Sequence, residues 1–242
     1  MTGGMVEGTG VSAPPRDVDA PATTRAWWMF PAFFAVYFAV WTLRATVGFN
    51  IDRGLAPPFS GIYSATIKLA LWAVPAAAFA HWVRGESRLT SLRLGLPSLR
   101  SLPLTTVIIA AYLTGVAWDV ARKRGIDLSA LGTALAQRGL WSLAGGLPSA
   151  FAEEVFFRGL VLTELSERMA FWRANVLSGI LFVSMHWPHR IWRDGWSVSV
   201  FADAPALLLI ALALGFITRR SGSIWPGVLF HAANNALTAV VS

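Results

Sequence analysis

AWWMFPAFFAVYFAVWTL, residues 26–43, runs for 18 residues without a charge. In hydrocarbon a backbone must satisfy its own polar groups, and about 20 apolar residues suffice for a helix to cross. The run therefore predicts a transmembrane helix, with Trp27 and Trp28 at its head as an interfacial anchor. Further apolar runs occupy about residues 60–83 (interrupted by Lys68), 101–118, 128–147, 148–166, 174–187, 197–218 and 224–241. Breakers separate them: Pro57 and Pro58, Gly95 and Pro97, Gly145, Gly146 and Pro148, Pro188, Gly222, and Pro226 with Gly227. Period-two alternation, which a membrane barrel needs, is absent. The expected fold is an all-α, polytopic integral membrane bundle of about eight helices. Residues 26–242 would form one domain, behind a flexible tail at 1–25 rich in Gly, Pro, Thr and Ala. The run at 128–147 carries Gln137 and Arg138 and is expected to lie partly in the interface, and the run at 174–187 is short for a full span.

Composition excludes several classes. Of 242 residues, 55% are hydrophobic and 14% charged, far too apolar for a disordered chain or an ordinary soluble domain. With no cysteine there is no disulfide, thiolate metal site or cysteine nucleophile. The net charge of +7 is scattered through short segments between apolar runs. That pattern suits anionic lipid headgroups rather than nucleic acid. Lys and Arg counts on the two sides of an eight-span arrangement are equal, so charge does not set the orientation.

Acidic residues inside apolar spans are costly and usually face a polar bundle interior. Between Asp127 and Glu164 the only two are Glu153 and Glu154, in AFAEEVFFRG, residues 150–159. On a helix, positions i and i+4 share a face, so Glu154 meets Arg158, while Glu153 points about 100° away. Glu153 is thus the candidate base, although an Arg–Glu pair that merely fixes packing fits this motif equally well. The next run ends in FVSMH, with Phe182 and His186 on one face ahead of the helix-ending Pro188. The last run carries His231 and Asn235 four residues apart in a span without charge. His and Asn can both donate to a developing oxyanion; interhelical hydrogen bonding is the plainer reading of each alone. Glu153 near the start of its helix and His186 near the end of the next fall toward the same membrane face, where His231 and Asn235 can join them.

Taken together, E-E-x-x-x-R, F-x-x-x-H and H-x-x-x-N in this order resemble the signature of the CAAX prenyl protease and bacteriocin-processing (Abi) family of intramembrane proteases. Shuffling this composition would yield all three with odds of roughly 2 in 10,000. The resemblance covers about residues 128–242. It implies an intramembrane endopeptidase in a bacterial cell membrane, acting on a membrane-embedded or lipid-anchored peptide that is prenylated or leader-bearing. It also implies that Glu153 and His186 activate water, that His231 and Asn235 stabilise the oxyanion, and that Glu154 and Arg158 organise the site. No cofactor is required on this reading. An alternative metalloenzyme reading makes Glu154, His186 and His231 ligands of zinc or another divalent ion. A non-catalytic scaffold or immunity protein, or a proton-coupled transporter, would use the same polar network differently. Lys68 reads as a snorkelling side chain rather than a group for a substrate carboxylate. His189, beyond Pro188, stays outside the candidate site.

Overall fold

The computed structural model describes residues 28–55, 59–84, 92–125 and 146–241, with isolated positions 129, 132–133 and 136. The tail at 1–25 and most of the run at 128–147, including Gln137 and Arg138, lie outside the described residues.

The first apolar run forms helix α1 (Met29–Thr46). Val36, Val40 and Leu43, three or four residues apart, are exposed, whereas Phe30 and Tyr37 are buried. An exposed apolar stripe of this kind is costly in water and natural against lipid. Trp28 at its head is exposed, as an interfacial anchor requires. After the short α2 (Phe49–Gly54), α3 (Phe59–Lys68) passes through a π-helical turn at Leu69–Ala73 into α4 (Val74–Phe79). Helix α5 (Leu102–Arg124) follows a 3₁₀ turn at Leu99–Ser101. Helix α6 (residues 146–154) continues through a further π-helical stretch, Val155–Val161, into α7 (Leu162–Ser166). Then come α8 (Phe171–Ser184), α9 (Trp187–Asp194), α10 (Ala204–Ser221) and α11 (Trp225–Val241). No strand occurs among the described residues.

Four stretches among the described residues are long and apolar enough to cross a bilayer: Met29–Ile51, Ile62–Val83, Leu99–Asp119 and Val198–Ser221. The run at 128–147, one of the eight expected helices, lies mostly outside the residues searched. Residues 146–166 are helical but carry Glu153, Glu154, Arg158 and Glu164. The 14 residues of α8 reach about 21 Å at ~1.5 Å per residue, short of a ~30 Å hydrocarbon core. Residues 150–165 are largely buried, whereas α8 buries one face and exposes Trp172, Val176 and Ile180 on another. Pro188 also does more than end α8: it stands in the first turn of α9, where its missing N–H costs nothing, and so starts a new helix almost at once.

An aromatic core fixes the α6–α7 segment. Phe156 stacks on Tyr37 of α1 with ring centroids 4.0 Å apart and meets Trp72 of the first π turn edge-on at 5.6 Å. Phe157 packs on Phe182 of α8 at 5.1 Å. Such pairs add roughly 0.5–1.5 kcal/mol each beyond their buried area. On the opposite side, Gly159 admits the backbone of Leu92, which leads into a strap laid over the ends of α10 and α11. There Ile224 N donates to Arg93 O (3.1 Å), Ser98 N to Ser221 O (2.8 Å) and Trp225 Nε1 to Leu94 O (2.9 Å). A Cβ on Gly159 would stand 2.9 Å from the Leu92 carbonyl oxygen, a backbone atom that cannot swing aside. Gly159→Ala is thus expected to destabilise the fold by about 1–3 kcal/mol, measurable by thermal unfolding in detergent. An unchanged melting curve would show that the strap is not seated there.

Candidate active site

The polar groups of α6 are distributed by helical geometry. Glu154 and Arg158 share a face as expected, with Arg158 Nη1 donating to Glu154 Oε1 at 3.1 Å. Both are essentially sealed from solvent, at 0% and 1% exposure. Arg158 also donates to the Ala211 carbonyl of α10 (3.1 Å), and its guanidinium lies 4.8 Å from the centroid of Phe182. An ion pair buried this deeply is tolerable only when its remaining donors and acceptors are occupied.

Glu153 points to a neighbouring face, but it is not unoccupied. Lys68 Nζ lies 2.8 Å from its Oε1, and Ser149, one turn earlier on α6, donates to the same oxygen at 3.2 Å. Lys68 also donates to Ser149 Oγ. Lys68 is therefore no snorkelling side chain: it enters the site as a counter-ion. Sequence reasoning held the signal, a single cation interrupting the run at 60–83, but its partner lies 85 residues away.

The two imidazoles arrive from different helices. His186 stands in the turn between α8 and α9, where its Nδ1 donates to the Phe182 carbonyl oxygen at 3.0 Å. That bond leaves Nε2 of the neutral ring as an acceptor. The turn is braced by Trp41 Nε1 donating to Met185 O at 2.8 Å. His231 of α11 is buried and links the two carboxylates, with Nδ1 2.9 Å from Glu154 Oε1 and Nε2 3.7 Å from Glu153 Oε2. The Phe182 ring lies between them, 4.9 Å from the His186 ring and 6.0 Å from the His231 ring.

Glu153, Lys68 and His186 line one cavity of about 650 Å³, within the ~300–1,000 Å³ typical of sites that enclose a ligand. Its wall continues over Trp41, Trp72 and Met185 to His189 and Arg190 of α9. His189, set aside on sequence grounds, therefore belongs to the wall. Burial holds its imidazole below the ordinary histidine range, and its Nδ1 donates to Ala45 O at 3.2 Å, tying α9 to α1.

Beside this geometry, one comparison finds a similarity. A family model described as type II CAAX prenyl endopeptidase Rce1-like matches residues 135–237. Over that stretch, somewhat under half of its length, the chain is similar to the Rce1-like family. The matched stretch contains all six candidate residues, Glu153, Glu154, Arg158, His186, His231 and Asn235. No curated protein and no solved structure matches the chain. The similarity to the Rce1-like family and four helices long and apolar enough to cross a bilayer together support an integral membrane protein.

Neither His231 nor Asn235 is among the residues that line the cavity. Asn235 stands four residues beyond His231, about 6 Å further along α11, beside Gly146 at the start of α6. Its half-buried side chain makes no hydrogen bond among the described residues. The alternative metal set also fails on geometry. Among the described residues no three His, Asp or Glu side chains gather to hold a metal ion. Glu154 Oε1 is already shared by Arg158 and His231, and Oε2 faces the space beside Gly227. Glu154, His186 and His231 thus do not form a ligand shell.

Proposed function

We propose that this protein is an intramembrane endopeptidase that hydrolyses a peptide bond of a membrane-associated substrate, with water activated by Glu153 and His186. The observation that carries this reading is a carboxylate with one oxygen held by the protein and the other left open, sharing a cavity with His186 inside a membrane bundle. Water donates one proton to Glu153 Oε2 and is oriented by the lone pair on His186 Nε2. Its oxygen then attacks the scissile carbonyl carbon, and the carbonyl oxygen takes up the negative charge. His231, backed by Glu154, in its charged form donates from Nε2 to that oxyanion. The carboxamide of Asn235 is its partner once substrate fills the space between them. The proton on Glu153 finally passes to the leaving amine. Glu154 and Arg158 touch no reacting atom and hold His231 in place.

The family description makes a prenylated peptide ending in a CAAX sequence the first probe. Full-length protein in liposomes is expected to cleave it, and His186→Ala to lose roughly a hundredfold or more of kcat. A strong chelator is expected to leave the rate unchanged, since the site residues form no ligand shell. Cleavage by His186→Ala at the wild-type rate would remove the proposed water-activating pair. Inactivation by the chelator, reversed by one added metal, would replace the mechanism with a metal-centred one.

A further inference from the structure

Four charges meet at the site in two unlike pairs. Glu154–Arg158 is sealed, with side-chain exposures of 0% and 2%. Lys68–Glu153 opens on the cavity, Lys68 being 26% exposed and Glu153 7%. The sealed pair is accounted for by its packing and by its bond to His231. A lysine from a separate membrane helix, reaching across to a carboxylate on a cavity wall, calls for another cause.

Local structure makes the reach possible. Lys68 is the last residue of α3 before the π turn at Leu69–Ala73, where Val74 N closes on Leu69 O five residues back. Such wide turns reset the direction of the residues around them and recur at functional positions. Trp72 in the same turn packs at 5.5 Å on Phe157, three residues beyond Glu154, so the two backbones are locked together where the ammonium crosses. The result is asymmetric occupation of one carboxylate. Oε1 takes Lys68 and Ser149, while Oε2 takes no hydrogen bond and lies 3.7 Å from His231 Nε2.

We infer that Lys68, seated by Ser149, is a positioning residue for hydrolysis: it holds Glu153 as a carboxylate and commits Oε1 to the protein, so that Oε2 alone receives the proton of water. The inference rests on the peptidase reading above and adds a residue outside the family match, which begins at residue 135. Besides Lys68, the ionisable groups facing Glu153 are His186 at the end of α8, His231 of α11, Glu154 and Arg158 on its own segment, and Tyr37 of α1. Arg158 is committed to Glu154 and Tyr37 is a neutral phenol. Among the described residues, Lys68 is thus the lysine or arginine that touches Glu153.

The chain has no cysteine, so a thiol placed at position 68 can be modified alone, and Lys68 lines the cavity where a small reagent reaches it. Lys68→Cys in the full chain is treated with 2-bromoethylamine, which restores an ammonium at lysine length, or with 1-bromopropane, which adds a neutral arm of similar size. Lys68→Met is carried in parallel. Rates of prenyl-peptide cleavage are followed against pH in liposomes. Without the ammonium, the acid-side midpoint of kcat is expected to rise by roughly 1–3 pH units, with KM within about twofold. Below that midpoint the rate falls roughly tenfold for each unit. Aminoethylation returns the wild-type profile and propylation does not.

Unchanged profiles in both neutral variants would overturn the inference. So would a rise in KM with the profile fixed, which would make Lys68 a substrate-binding group, and so would collapse of both variants, which would make it a folding residue. Glu153→Gln separates the two layers. If it cleaves like wild type, the peptidase reading fails and takes this inference with it; if it is inactive beside an unaltered Lys68→Met, only the inference fails.

Discussion

Glu153→Gln is expected to lower the cleavage rate by roughly 10²–10⁴-fold while the helix bundle stays folded. The amide keeps the shape of the carboxylate, and its carbonyl oxygen still accepts from Lys68 and Ser149 as Oε1 does. What disappears is the capacity of the second oxygen to take a proton from water. Lys68 loses its counter-ion, but it is partly open to the cavity, so the cost in stability should stay within about 1 kcal/mol. Cleavage of the prenylated peptide in liposomes and thermal unfolding in detergent measure the two quantities separately. A folded Glu153→Gln protein with full activity would take the carboxylate out of the chemistry. An unfolded one would make Glu153 a packing residue, as a scaffold requires.

The parts of this site legible in the sequence are those set by one helix at a time. The uncharged run at 26–43 gave α1 because hydrophobicity over ~20 residues suffices to place a span. The i, i+4 relation paired Glu154 with Arg158 and set Phe182 beside His186, contacts now seen at 3.1 Å and 4.9 Å. What the sequence withheld depends on which helices become neighbours. Lys68 and Glu153 are far apart in the chain, and nothing in local periodicity joins them. The π turns were equally invisible, since one extra residue per turn leaves no mark on an apolar pattern that is uniform around the helix. Which apolar runs cross the bilayer is likewise not set by hydropathy alone, since α8 is apolar but only 14 residues long. For Asn235 the i, i+4 relation set its face and an offset of about 6 Å from His231, but not which neighbouring helix its side chain meets.

The largest effect on stability is expected from Arg158→Met. Removing the guanidinium leaves Glu154 charged and sealed, with Oε1 supported only by His231 and Oε2 without a partner among the described residues. The Ala211 carbonyl loses its donor as well. Breaking a buried pair from one side costs about 3–5 kcal/mol, whereas replacing both members by apolar groups of similar volume is often neutral. Arg158→Met combined with Glu154→Leu should therefore recover most of the lost stability. It should not recover cleavage, because His231 Nδ1 would then have no acceptor to fix its ring. Unfolding in detergent reads the first outcome and peptide cleavage the second. A double variant that is both stable and active would show that the Glu154–Arg158 pair serves packing alone and that His231 is oriented by something else. A double variant that is stable and inactive would show that this sealed pair, which touches no substrate, sets the direction in which an imidazole presents its proton.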